Sequence, residues 1–135
     1  MPPKHELVQS WLSRARNDLI TGRRALEGDP PIPDTAAFHA QQAVEKALKA
    51  VLIMREIEPP RTHVIEVLLA RCGSVDPRLD EVAASCAWLT EFAVEGRYPD
   101  TECEPTVEQA REALDLAERA FEIIVESLPG EVRPT

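Results

Sequence analysis

Aromatic residues are scarce in this chain, at 4% of 135 positions. A core must therefore come from Ala, Leu, Val and Ile, and Trp11, Trp88 and the three Phe lie too far apart to form a base-stacking platform. No apolar run approaches the roughly 18–20 residues of a membrane span, so no contact with a membrane is expected. The opening Met1-Pro2-Pro3-Lys4-His5-Glu6 leads into no apolar segment and does not read as a secretory signal. Cysteine is limited to Cys72, Cys86 and Cys103, odd in number and well separated. That pattern suits reduced thiols in a cytoplasm and neither a disulfide framework nor a CxxC zinc site. A glycine-rich phosphate loop and a His-Glu-x-x-His motif are both missing. No cofactor, no metal ligand set and no catalytic constellation is expected.

What is present suits a globular fold. Hydrophobic residues make up 44% of the chain, and a single domain of about 100–150 residues can hold one core. The net charge of −9 is unevenly placed. Residues 1–76 carry 10 Lys+Arg against 10 Asp+Glu, while residues 77–135 carry 5 against 14. The acidic final part repels nucleic acid. Any anion contact should therefore fall in the first half.

Periodicity predicts an all-α, antiparallel up-and-down bundle of about five helices, four long and one short. The first runs from about His5 to Glu27 on a Val8, Leu12, Ala15, Leu19, Gly22, Leu26 stripe, and Gly28 ends it. Asp34 or Thr35 caps the second, which reaches about Arg55. Thr62 caps a short third holding Val64, Val67 and Leu68. Asp76-Pro77 opens the fourth, with Leu79, Val82, Ala83, Cys86, Leu89 and Ala93 inward. Thr106-Val107-Glu108-Gln109 is a capping box for the fifth. Val107, Ala110, Leu114, Ala117, Phe121, Ile124 and Leu128 form its stripe. The domain should cover residues 1–128, leaving 129–135 as a loose tail.

The second helix carries two unlike strips. Ala36, Ala40, Ala43, Ala47 and Ala50 share one, which lets a neighbouring helix come close. His39, Gln42, Lys46 and Lys49 share the other, a mixture of imidazole, amide and amines that can hold a phosphate. The same strip can serve as a helix–helix or dimer contact with no chemistry. Arg61-Thr62-His63 sits where a helix start offers free N–H groups to an anion. Arg97-Tyr98-Pro99 follows Gly96, at what reads as a helix end.

Three blocks, Phe38 to Lys49, Pro59 to His63 and Arg97 to Pro99, fall in an order that resembles the HEPN family, the higher eukaryotes and prokaryotes nucleotide-binding domain. The resemblance implies a helical bundle, a homodimer, and a nucleotide- or RNA-associating subunit working with a separate minimal nucleotidyltransferase. A toxin–antitoxin or defence pair follows by analogy. It marks His39, Gln42, Lys46, Lys49, Arg61, His63 and Arg97 as the ligand-binding set. Ribonucleases of the family carry an Arg with a His after four to six intervening residues. Here the positions after Arg97 at that spacing hold Glu102, Cys103 and Glu104, so the expectation leans away from an enzyme. Two other readings stay open: a metal-independent ribonuclease pairing Arg97 with His39 or His63, and a scaffold without a ligand.

Overall fold

The computed structural model describes residues 3–92 and 104–134, without the side chains of Ala83 and Ala84. The Arg97 block and Cys103 lie outside the described residues. Five α-helices are described: α1 (Pro3–Glu27), α2 (Pro33–Met54), α3 (Ile65–Cys72), α4 (Pro77–Ala87) and α5 (Val107–Ser127). Short 3-10 turns cover Trp88–Phe92 and Gly130–Val132, and no strand occurs among the described residues. Contacts fix the directions. Gly22 of α1 meets Ala36 of α2, whereas Trp11 meets Lys49, so these two helices run antiparallel. Arg23 reaches Asp115 and Glu118 in the middle of α5 while Gln9 donates to the Arg133 carbonyl beyond its C-terminal end. α5 is therefore antiparallel to α1 as well.

The alanine strip does what its spacing predicts. Ala36, Ala40, Ala43, Ala47 and Ala50 are all fully buried. Gly22 supplies the matching gap on α1, because a Cβ there would meet Leu114 Cδ2 at 2.6 Å and the Ala36 carbonyl at 3.2 Å. α5 buries Ala110, Leu114, Ala117 and Ile124 as expected, and adds Ala113, Ala120 and Ile123. Its Phe121 packs against the core but stays partly exposed. The stripe is thus wider than a single row and centred slightly away from that ring. Leu79, Cys86 and Leu89 turn inward, and Val82 is partly buried.

Local signals were right at two helix starts and wrong at two. Asp76 accepts from the Arg78 N–H ahead of α4, and Thr106 with Gln109 closes a full capping box on α5. α2 instead starts at Pro33 after Ile32, with no side-chain cap, since proline at the first position has no N–H to satisfy. α3 starts after Val64, also without a side-chain cap. Thr62, two residues ahead of the N-cap position, accepts from the Val64 N–H and so does not cap the helix. The Ile65 N–H is taken by the Thr90 hydroxyl at 3.0 Å. The fourth helix tightens into a 3-10 turn at Trp88, so it is shorter than expected.

Val132 and Arg133, expected in a loose tail, are packed back on the bundle. Val132 is fully buried, and the Arg133 guanidinium donates to the Val125, Glu126 and Leu128 carbonyls. α5 has no basic residue in its last turn. Arg133 folds back to supply the charge and donors that a helix C-terminus lacks.

Candidate functional site

Where α1 crosses α2, the polar strip meets two buried carboxylates. Asp18 lies on the apolar stripe of α1, four residues before Gly22, and is only 7% exposed. Its carboxylate takes the His39 ring Nδ1 at 2.7 Å and the Lys46 ammonium at 2.6 Å. Glu45 of α2, 4% exposed, takes Lys49 at 2.9 Å and the His63 Nδ1 at 2.7 Å. Gln41, fully buried, donates to Glu45 at 3.2 Å and to the His63 carbonyl at 2.9 Å. Gln42 donates to the Gln41 side-chain oxygen at 2.7 Å. Every described member of the strip is thus tied to a buried acid or amide, and no buried side-chain polar atom lacks a partner among the described residues.

Two consequences follow. A carboxylate only accepts, so each histidine places its Nδ1 proton on that bond and turns Nε2 away from it. His63 does this with its side chain 61% exposed to solvent. Each lysine uses one of three donors on its carboxylate and keeps two. Burial pushes the Glu45 carboxyl up, but hydrogen bonds from Lys49, His63 and Gln41 outweigh it and hold the group below its ordinary value. Glu45 is therefore a fixed anion that positions cations.

The segment after α2 brings Arg61 and His63 to this face. Glu56 takes the left-handed conformation at φ 61°, and the Ile57 N–H returns to the Leu52 carbonyl at 2.8 Å. This closes a Schellman turn at a position that usually holds glycine. The chain then runs back along α2 through Pro59 and Pro60. Arg61 is exposed and has no hydrogen-bond or ion-pair partner among the described residues. It borders an open groove of about 430 Å³, whose other walls include Trp11, Lys49 and Ile53.

The ligand-binding set thus comes together in part. His39, Gln42, Lys46, Lys49 and His63 line one face, Arg61 stands beside it, and Arg97 is outside the described residues. Sequence reading missed Asp18, Gln41 and Glu45. An acid inside an apolar stripe was the signal for Asp18. The four-residue spacing of Glu45 and Lys49 was the signal for Glu45. Among the described residues no group of three or more His, Cys, Asp or Glu could hold a metal ion, and no helix is long and apolar enough to cross a membrane.

Comparison with known proteins assigns the class. The profile of the HEPN domain matches residues 8–128, and the chain belongs to this family. It is similar to the crystal structure of TT1696 from Thermus thermophilus, at 32% identity and a TM-score of 0.73, over 90% of this chain and 98% of that one. It is also similar to ST0689, an archaeal HEPN homologue, at 29% identity and a TM-score of 0.68, over 87% and 93%. No curated protein matches.

Proposed function

We propose that this chain is a nucleotide- or RNA-associating HEPN subunit. It acts as a homodimer alongside a separate minimal nucleotidyltransferase, as a toxin–antitoxin or defence pair. The observation that carries the reading is the α1/α2 face: Lys46, Lys49 and two histidines held in fixed positions by buried carboxylates, with an unpaired Arg61 beside them. Because Asp18 and Glu45 offset the lysines, the face has little net charge. It recognises phosphate through directed donors more than through field strength, with Arg61 supplying the fork that suits a phosphate. The family resemblance adds Arg97 to the residues expected to bind.

Labelled single-stranded RNA followed by anisotropy across a salt series tests this. Affinity should fall with salt at a slope near −0.7 per phosphate contacted. Arg61→Ala should weaken binding, and Arg119→Ala on the acidic α5 should not. Equal affinities for wild type and Arg61→Ala would exclude this face. A monomer in light scattering at micromolar concentration would remove the homodimer. Failure to co-purify with a nucleotidyltransferase encoded beside it would remove the two-component part.

One observation favours a ribonuclease: the His63–Glu45 pair leaves Nε2 available to move a proton, as a carboxylate-oriented imidazole does in hydrolases. Against it stands the missing Arg-to-His spacing. Metal-free incubation should leave RNA intact. Cleavage lost in His63→Ala would establish the enzyme.

A further inference from the structure

We propose that the groove beside the network is a pocket for the base of a ribonucleotide, with the phosphate directed to Arg61. This rests on the nucleotide-associating reading and adds where the base is held. Trp11, Ile53 and Pro60 give the groove apolar walls, and Lys49, Arg61 and Glu58 are its polar groups. A volume of about 430 Å³ falls in the range of small-molecule sites, roughly 300–1,000 Å³, which combine apolar walls with a few polar groups.

The walls are already in place. The Lys49 ammonium lies 5.9 Å from the Trp11 ring centroid and is held by Glu45 at 2.9 Å, so the wall is braced by the buried network. Little ordering is left for a ligand to impose. A base offers a flat π surface to an indole, a contact tolerant of sequence. Glu58, an acceptor only, suits a base edge carrying N–H donors, such as that of guanine. Arg61 has its guanidinium free for the phosphate one sugar away. Trp11 is too far from the other aromatics to build a platform for successive bases, so the pocket takes one base. A helix from a partner protein needs an apolar track of several turns. Here the walls use a single turn of α1, Leu7 to Trp11, and a single turn of α2, Lys49 to Ile53.

Calorimetric titration of the intact protein with GMP, and with ribose 5-phosphate as the probe lacking a base, tests the assignment. GMP should bind saturably, and ribose 5-phosphate at least about tenfold more weakly. Trp11→Ala should erase that margin, while Trp11→Phe, which keeps a ring and reports on folding, should retain it. Arg61→Ala should weaken both probes. Equal binding of the two probes overturns the base pocket and leaves nucleotide association standing. So does GMP binding that ignores Trp11→Ala and Arg61→Ala but is lost in Lys46→Gln. If Trp11→Ala turns a dimer into a monomer with GMP affinity intact, the groove is a protein contact and the proposal falls. Absence of both GMP and RNA binding overturns the pocket and the underlying function together.

Discussion

α2 and α5 are nearly equal in length, at 22 and 21 residues, and each buries an alanine-rich face, yet past the first turn they treat acidic residues in opposite ways. On α5, Glu108, Glu112, Asp115, Glu122 and Glu126 are exposed, and Glu118 is half-buried against Arg23. α2 turns Glu45 inward and surrounds it with three donors. The same side-chain chemistry gives a solvated face in one helix and a positioning anchor in the other. A charge is cheap in water, whereas one removed from it must be matched bond by bond. α5 holds the bundle together, and α2 does that while also setting the geometry of a surface.

The largest expected effect tests this contrast directly. Glu45→Ala leaves Lys49 with its charge unmatched and Gln41 short of a partner, and should cost about 3–5 kcal/mol. Glu122→Ala on α5 should change stability by no more than about 0.5 kcal/mol. Urea denaturation measures both, and similar costs would remove the distinction. Acid gives a second handle. The folded-state value of Glu45 lies below its ordinary 4.5, so the unfolded chain takes up this proton first. The stability this group contributes is complete above pH 4.5 and is lost as pH falls through the lower folded value. Glu45→Gln should flatten that acid limb.

Next comes Gly22→Ala, at the crossing of α1 with both helices. Alanine would improve helix propensity by about 1 kcal/mol. Its Cβ, however, would press on Leu114 Cδ2 at 2.6 Å and on a backbone carbonyl at 3.2 Å. Leu114 is fully buried and cannot swing aside freely, and overpacking of this kind costs about 1–3 kcal/mol. A lowered melting temperature is expected. A raised one would mean that the α1–α5 contact is looser than these distances.

These two positions also show what could be read in the sequence. The alanine strip, the α5 stripe and the Thr106 capping box were legible because each depends on the spacing of residues within one helix. The Asp18 contacts of His39 and Lys46 were not, because Asp18 comes from another helix, nor was the His63 contact of Glu45, which comes from the loop that follows. A strip of donors looks ready for a phosphate until the helix opposite is known to carry an acid. The packed end of the chain was hidden for a similar reason: Pro129-Gly130 ends a helix, but nothing local says that Val132 and Arg133 return to it.

Helix starts give a smaller effect. Thr106→Ala removes the hydroxyl half of the α5 capping box and should cost about 1 kcal/mol. α2 has nothing comparable to lose, since Ile32 makes no side-chain cap bond and is exposed. Ile32→Ser should therefore be neutral or stabilising by about 0.5 kcal/mol. Thermal melts should show a lowered midpoint for Thr106→Ala and no lowering for Ile32→Ser. A destabilised Ile32→Ser would show that this side chain packs on something in solution.

The smallest effect belongs to Glu108 and Arg111, paired at 2.7 Å across one turn of α5. Distance alone makes this pair as close as His63 and Glu45, which also meet at 2.7 Å. Exposure separates them, because the Glu108 side chain is 83% open to solvent while that of Glu45 is 5% open. Water screens the exposed pair, and two long side chains must be ordered to hold it, so its worth is about 0–0.5 kcal/mol. Glu108 also lies in the first turn of α5, where a negative charge favours the helix dipole by a few tenths of a kcal/mol. A double-mutant cycle of Glu108→Gln and Arg111→Gln separates the two contributions. The coupling energy should be near zero and vanish in high salt, leaving only the single effect of Glu108. A coupling as large as that between His63 and Glu45 would mean that burial is not what distinguishes the two helices.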